Sequence, residues 1–356
     1  MWIILLLFSS LSWGFPILHF IKPESNFTQI TTLDACTTFL NNQNDMVGCN
    51  PALFPLQKQE GLRMGLSTIT DGESVEVGQK LLFDPIEEEF LQKLFKEQAF
   101  NSWGANSYIE LRTSKFYLAY NPLAVNADVF VFNPSSPEVA MSLVKSNRLQ
   151  ITSGLKVAEN DFWTFSLGTK IYYYRSEYYQ DSFFLSDLTT NDVDELIKLK
   201  NRSGVAGDIG AFIKFENRYL PKISFLIKNI NSLYKNEEKD IVAENQMRPL
   251  MVYETYSRVG LGYDIKKSWG ALNAEINLPF RNFYQDYYNE YLVGSIGYSL
   301  TRFSTQLSYS KYQQIFGFNF GSKIASVGIF YGKSRPLGDF STQDESVGGV
   351  KGEISL

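Results

Sequence analysis

From Trp163 to the end of the chain, apolar and polar side chains alternate with a period of two. Trp163, Phe165, Leu167, Ile171 and Tyr173 interleave with Thr164, Ser166, Gly168, Lys170 and Tyr172. Val205, Ile209, Ala211, Ile213 and Phe215 oppose Asp208, Gly210 and Lys214, and Val259, Leu261, Tyr263 and Ile265 oppose Arg258, Gly260, Gly262 and Asp264. The same rhythm recurs over 270–278, 292–300, 303–309, 316–320, 325–331 and 350–356. Such a period places each set on its own face of a sheet. The runs suit antiparallel strands long enough to cross a bilayer, ~9–11 residues each. Weaker candidates lie at 61–69, 74–82, 107–112, 115–120, 125–132 and 148–157. Together they predict roughly twelve to sixteen strands, with about fourteen as the central count and an even number expected for a single-chain barrel.

Only short stretches depart from this rhythm. Residues 15–60 read as irregular, with one short helix near Thr32–Leu40. Asp84 caps a helix opened by Pro85, with Glu87, Glu88 and Glu89 in its first turn and Ile86, Phe90, Leu91, Leu94 and Phe95 on one stripe. A second connecting helix is expected from Asn191 to Lys200. A soluble β-sandwich also alternates, so the period alone leaves two architectures open. The apolar face here is rich in aromatics, and the opposite face carries Gly, Ser, Asn and scattered ions. A membrane barrel needs that inversion, with lipid outside, a polar lumen, and closure to pair every edge N–H and C=O. The predicted fold is therefore all-β: a transmembrane antiparallel β-barrel over 61–356 with short connecting helices, preceded by an irregular, lumen-associated segment over 15–60.

Residues 1–14 read as a secretory signal. Trp2 to Leu11 are predominantly apolar, and Ser12-Trp13-Gly14 places small residues around a cut after Gly14. The alternative is a buried or interfacial N-terminal segment. Cys36 and Cys49 follow; in an oxidising compartment they would close a local loop, the other readings being buried free thiols or a redox pair.

Composition narrows the function classes. Aromatic residues make up 15% of the chain and charged residues 20%, with a net charge of −5, so there is no basic footprint for nucleic acid. One histidine and two cysteines leave little material for a zinc, iron–sulfur or histidine-based catalytic centre. No phosphate-cradling glycine loop and no catalytic triad can be assembled, so the reading is non-enzymatic, without cofactor or metal. Asp187, Asp192, Asp194 and Glu195 suit a solvated helix cap rather than a calcium loop. The patterns Asn26-Phe27-Thr28 and Asn201-Arg202-Ser203 match a glycan acceptor and more simply suit exposed loops.

Two motifs carry a family resemblance. Asn50-Pro51-Ala52-Leu53 resembles the N-P-A-hydrophobic segment near the start of the FadL-like and TraF-type outer-membrane barrels. The glycine-rich stretch from Gly204 to Ala211, followed by Leu220 to Ile230, resembles their strand–turn–strand pattern. The resemblance implies a barrel of the bacterial outer membrane with an N-terminal segment associated with its lumen. For the fatty-acid transporters in that group it implies uptake of hydrophobic molecules.

Lys170, Asp208, Lys214, Glu254, Arg258, Asp264, Glu275 and Arg302 fall on the face opposite the apolar one and are the candidate lumen residues. They would border a permeating solute, pack the lumen as internal ion pairs or, least favoured, act in catalysis. The functional expectation is a porin-like channel or transporter for small solutes, hydrophobic ones included. Its alternative is a surface or assembly barrel with a plugged lumen. Expected partners are outer-membrane lipid, the insertion machinery and a small or hydrophobic solute; a monomer is expected.

Overall fold

The computed structural model describes residues 26–38, 46–57, 60–71, 100–132, 138–184, 199–217, 220–230, 255–268, 270–281, 292–300, 302–310, 313–322, 324–334 and 345–356. Two short helices, α1 (Phe27–Thr31) and α2 (Met46–Cys49), and a 3-10 segment, Pro51–Leu56, precede the sheet. Fourteen strands follow: β1 (Gly61–Asp71), β2 (Phe100–Arg112), β3 (Tyr117–Phe132), β4 (Glu138–Glu159), β5 (Trp163–Phe184), β6 (Lys200–Phe215), β7 (Lys222–Ile230), β8 (Tyr256–Lys267), β9 (Gly270–Arg281), β10 (Val293–Ser299), β11 (Phe303–Tyr309), β12 (Gln313–Gly321), β13 (Ala325–Ser334) and β14 (Glu345–Ser355). Each pairs antiparallel with its sequence neighbours, and β1 pairs with β14 from Arg63↔Ser355 to Asp71↔Val347, closing the barrel. The Leu62 N–H donates to the Leu356 carbonyl at 3.1 Å and the Leu356 N–H to the Leu62 carbonyl at 2.8 Å, so the seam is bonded to its end.

The connections at 113–116, 160–162, 216–221, 268–269, 300–302 and 322–324 gather at one end, beside Gly61 and Leu356. Several are shaped by side chains that replace backbone partners. Asn160 Oδ1 accepts from the N–H groups of Phe162 and Trp163, both at 2.9 Å, and Ser322 Oγ accepts from those of Ile324 and Ala325. At the other end lie the short connections 133–137 and 310–312 and the long ones 72–99, 185–199, 231–255, 282–292 and 335–344. Short turns throughout one end and mostly long connections at the other are the asymmetry of outer-membrane barrels, whose short turns face the periplasm.

The outside is apolar all the way round. Leu66, Ile109, Ile171, Ile209, Leu261, Ile276, Ile296, Phe316, Ile329 and Ile354, drawn from ten strands, point outward and stay exposed. On β5 this band runs from Trp163 to Tyr173. At ~3.4 Å per residue and a tilt of ~40° those residues rise about 25 Å, the height of a lipid-facing band. Beyond it the outer face turns polar, at Arg175 and the Lys145–Glu177 ion pair of 3.6 Å. Exposed apolar side chains on this scale are stable only against lipid, so the strands are membrane-spanning. Ile209 is 49% exposed and faces outward near the middle of the band, beside Thr169. Ile209→Arg is therefore expected to destabilise the barrel by ~2–4 kcal/mol, read from urea unfolding in lipid vesicles.

The structure corrects four local expectations. No helix forms over Thr32–Leu40 in the described residues; α1 lies earlier, at Phe27–Thr31, because Asn26 and Gln29 make a reciprocal cap. The Gln29 N–H donates to Asn26 Oδ1 at 2.8 Å and the Asn26 N–H to Gln29 Oε1 at 3.1 Å. Asn26 is buried, so its side chain serves this cap and not an exposed loop. The separate strands expected at 115–120 and 125–132 are one strand, β3, whose register shifts between Asn121 and Ala124 around Pro122, where the missing N–H breaks the ladder. Lys200, expected to end a helix, opens β6. The signal segment, the strand at 74–82 and the helices at 84–95 and 191–198 lie outside the described residues.

Candidate functional site

The lumen is occupied by the chain's own residues 26–38 and 46–57. Two kinds of wall position receive them. The first is glycine, where backbone must approach backbone. A Cβ on Gly168 would sit 2.2 Å from the Pro51 carbonyl, and one on Gly210 would sit 2.0 Å from Asn50 Oδ1. The Asn50-Pro51-Ala52-Leu53 motif thus lies flat on β5 and β6, where only glycine leaves room. Asn50 Oδ1 accepts from the Ala52 N–H at 3.0 Å, Asn50 Nδ2 donates to the Thr37 carbonyl at 3.1 Å, and Ser166 Oγ donates to the Ala52 carbonyl at 2.7 Å.

The second kind is a charged side chain that meets the plug's backbone or side chains. Arg112 Nη2 donates to the carbonyls of Phe54 (2.9 Å) and Gln57 (2.8 Å), and its guanidinium lies 5.1 Å from the centre of the Phe54 ring. Lys228 Nζ donates to both carboxylate oxygens of Asp34, at 2.7 and 2.8 Å, while Arg258 pairs with the same carboxylate at 3.4 Å and donates to the Asp34 carbonyl. These bonds hold an uncommon backbone: Leu33 and Asp34 are left-handed, at φ 52° and 60°. For non-glycine residues that costs ~1–2 kcal/mol each.

Glu275 on β9 is the most concentrated contact. One carboxylate oxygen accepts from the Thr37 N–H and hydroxyl, both at 2.8 Å, and from Asn277 Nδ2 at 2.5 Å. The other accepts from the Thr38 N–H at 3.1 Å and its hydroxyl at 2.8 Å. All five partners are donors, which suits a group that only accepts when ionised. The Cys36–Cys49 disulfide, with Cα atoms 5.5 Å apart, sits beside this anchor and joins the two legs of the plug. It packs with Ala52, Leu53 and Phe212. α1 and the turn after it place Phe27, Ile30, Leu33 and Ala35 against Ile69, Val293, Ile315, Phe330 and Val347 on the lumen wall. Replacing Cys36 and Cys49 by serine should lower the plug's stability by about 3 kcal/mol through loop entropy. The readout is protease cleavage between them at a temperature where the disulfide-bonded protein resists.

Of the sequence-derived candidates, Lys170 and Asp208 are buried in the lumen as an ion pair of 2.6 Å, with Lys170 also donating to the Gly48 carbonyl at 3.3 Å. Asp208 in addition accepts from the Asn229 N–H at 3.0 Å. Arg258 and Glu275 hold the plug, as described. Asp264 pairs with Lys222 below them, toward the short-turn end. Lys214 stands at the short-turn rim, half-exposed, and donates to Glu216 at 2.7 and 2.9 Å. That hydrogen bond holds the Glu216 carboxyl below the usual carboxylate range. Arg302 does not belong to the lumen: it lies exposed in the turn between β10 and β11, where the strand alternation has ended. Glu254 lies outside the described residues.

The sequence reading missed Arg63, Glu110, Arg112, Lys228, Lys351 and Glu353. Arg63 bridges Glu110 (2.5 Å) and Glu353 (3.1 Å) across the closing seam, Tyr108 donates to Glu353 at 2.6 Å, and Lys351 pairs with Glu353 at 2.8 Å. The alternation in Lys351-Gly352-Glu353 was visible, but nothing local to β1 tied Arg63 to a strand almost the whole chain away.

No family model and no curated protein matches this chain. Among solved structures it is similar to the toluene transporter TodX of Pseudomonas putida, with 10% identity, a TM-score of 0.46, and 91% of this chain and 96% of that one covered. It is also similar to the CymD monoaromatic hydrocarbon channel, with 10% identity, a TM-score of 0.49 and 96% and 99% covered. Outer membrane phospholipase A from Escherichia coli is similar at 10% identity and a TM-score of 0.31, with 86% and 98% covered.

Proposed function

We propose that this chain is a channel of the bacterial outer membrane for small solutes, closed at rest by its own N-terminal segment. The observation that carries the proposal is how the plug is held. It contacts the wall through ion pairs, a five-donor carboxylate anchor and glycine tracks, with apolar packing in three separate patches, at α1, at the disulfide cluster and where Phe54 meets Tyr117 and Ala119. Polar contacts of this kind can be exchanged for water when the segment moves, whereas a continuous dry core would tie it permanently. The inside-out barrel and its short-turn end support the outer-membrane location, with lipid around the band and a single chain closing the sheet.

Hydrophobic solutes, which the sequence resemblance implies, would find apolar lining mainly in the patch that α1 covers, and for them passage requires displacing α1. The rival reading is a structural barrel whose plug never leaves. Proteoliposome swelling separates the two. The native chain should pass little, and a variant with the Glu275 anchor removed should pass small solutes. If Glu275→Ala inserts correctly and passes neither sugar, ion nor aromatic hydrocarbon, the channel reading falls and the plugged shell stands.

A further inference from the structure

The plug closes the short-turn mouth unequally. On the β4–β6 side the 3-10 segment covers the wall to the rim: Ser166 is 0% exposed and Thr164 4%. On the β10–β12 side exposure rises toward the same rim. Ser308, Ser295 and Ile315 are buried, whereas Gln306, Ser304, Ser299 and Asn319, which face the lumen closer to the rim, are half-buried. A recess therefore opens there beneath α1, with Asn273 of β9 at its inner end.

This wall differs from the rest of the lumen in chemistry. β1, β2, β5–β8 and β14 carry the paired charges already described. Between Asp264 and the Arg63 network, by contrast, the lumen side of β9–β12 offers mainly amides, hydroxyls and glycine, with Val293 and Ile315 under α1 and Glu275 as its one charge among the described residues. Asn273, Gly297, Gln306 and Gly317 stand in one row across four strands. Gly297 has no side chain of its own, and the two amides meet in the space over it. A Cβ there would lie 2.6 Å from Gln306 Oε1 and 3.6 Å from Asn273 Nδ2. Asn273 is 0% exposed, yet neither its Oδ1 nor its Nδ2 has a protein partner, and Gln306 Nε2 and Asn319 Oδ1 have none either. Buried amide atoms are ordinarily bonded, so Asn273 and Gln306 meeting over Gly297 without protein partners, with Asn319 over Gly328 beyond them, mark a place where something else supplies the bonds.

We propose that this recess is a binding station for an uncharged solute bearing hydroxyl or amide groups, reached from the short-turn mouth. It deepens the channel reading and rests on it for its role in transport, though not for the binding itself. An amide offers donors and an acceptor together. A hydroxyl or amide ligand matches both, a carboxylate can only accept, and an ammonium can only donate. A hydrocarbon would leave every amide unpaired. Asn273 and Gln306 bind the solute across Gly297, and Asn319 extends the station along β12.

The test is binding, kept separate from flux. The full chain in detergent is examined by saturation-transfer NMR with glucose, acetamide, sodium acetate and toluene as probes, its fold checked by heat-modifiable gel migration. Glucose or acetamide should bind saturably and compete with each other if both use the amides, while acetate and toluene should not displace them. Asn273→Leu and Gln306→Leu should each weaken binding by about tenfold. The near-isosteric Asn273→Asp serves if the leucine variants fail to fold; a carboxylate that cannot donate should weaken acetamide binding. Saturable binding of only one of the two probes identifies which group is read and upholds the station. The proposal is overturned if neither glucose nor acetamide binds saturably, if toluene displaces them, or if binding is the same in all folded variants. Binding by the native chain without flux through the folded Glu275→Ala barrel in liposomes would uphold the station and sink the channel reading; flux through that variant without binding would do the reverse.

Discussion

Glu275→Ala is expected to turn a closed barrel into a leaky one. The substitution removes the acceptor for the N–H groups of Thr37 and Thr38 and for both hydroxyls, all in a buried setting. Two orphaned buried N–H groups cost ~1–3 kcal/mol each, so the docked plug should lose roughly 2–6 kcal/mol. The barrel does not share that loss, because β9 keeps its ladders to β8 and β10. The expected result is swelling of proteoliposomes in small-solute gradients together with protease cleavage near Thr37, while migration of the unheated protein on gels stays that of a folded barrel. Glu275→Gln should fall between, since its amide keeps one acceptor but turns an NH2 group toward donors. Unchanged swelling and unchanged protection in the folded alanine variant would show that the glycine tracks and Asp34 hold the plug alone.

Arg63→Met should act on the barrel itself. Arg63 sits on β1 and reaches Glu110 on β2 and Glu353 on β14, so it spans the seam where the first and last strands meet. All three side chains are less than a tenth exposed. Removing the cation leaves two carboxylates facing each other, with Lys351 still 2.8 Å from Glu353, a loss of ~3–5 kcal/mol for breaking a buried ionic group. Urea titration of the folded protein in vesicles should show that drop, and Arg63→Met with Glu110→Gln should recover part of it by removing the excess charge. If the single variant unfolds at the native midpoint, the seam depends on its backbone ladder and the network is only filling space.

Much of the architecture was legible because a strand's period of two is a local property. Ile209, Leu261, Ile276 and Ile354 alternate with Asp208, Gly262, Glu275 and Lys351 whatever the rest of the chain does, and lipid outside with polar groups inside is the closed solution that satisfies such strands throughout. The count of about fourteen followed from the runs and their turns. The pairing of Cys36 with Cys49 stood among three alternatives, and the disulfide decided it. Where alternation weakened, at Asn121-Pro122, one strand was read as two, since a bulge looks like a break to a periodic reading.

The candidate site was legible only by face. Alternation sets Lys170, Asp208, Arg258 and Glu275 on the face opposite the apolar one, but a face says nothing about which partner waits there. Asp34 meets Lys228 and Arg258, Thr37 and Thr38 meet Glu275, and Gly168 and Gly210 admit the Asn50–Leu53 segment, all across separations that no local pattern encodes. Within a strand, local sequence sets which residues face lipid and which face the lumen, because backbone geometry assigns the face residue by residue; at a turn, as for Arg302, that rule ends. Only the closed barrel decided that the lumen holds a plug, which charges pair and which amides lack a protein partner, because those facts depend on which strands closure brings to face one another across a shared interior.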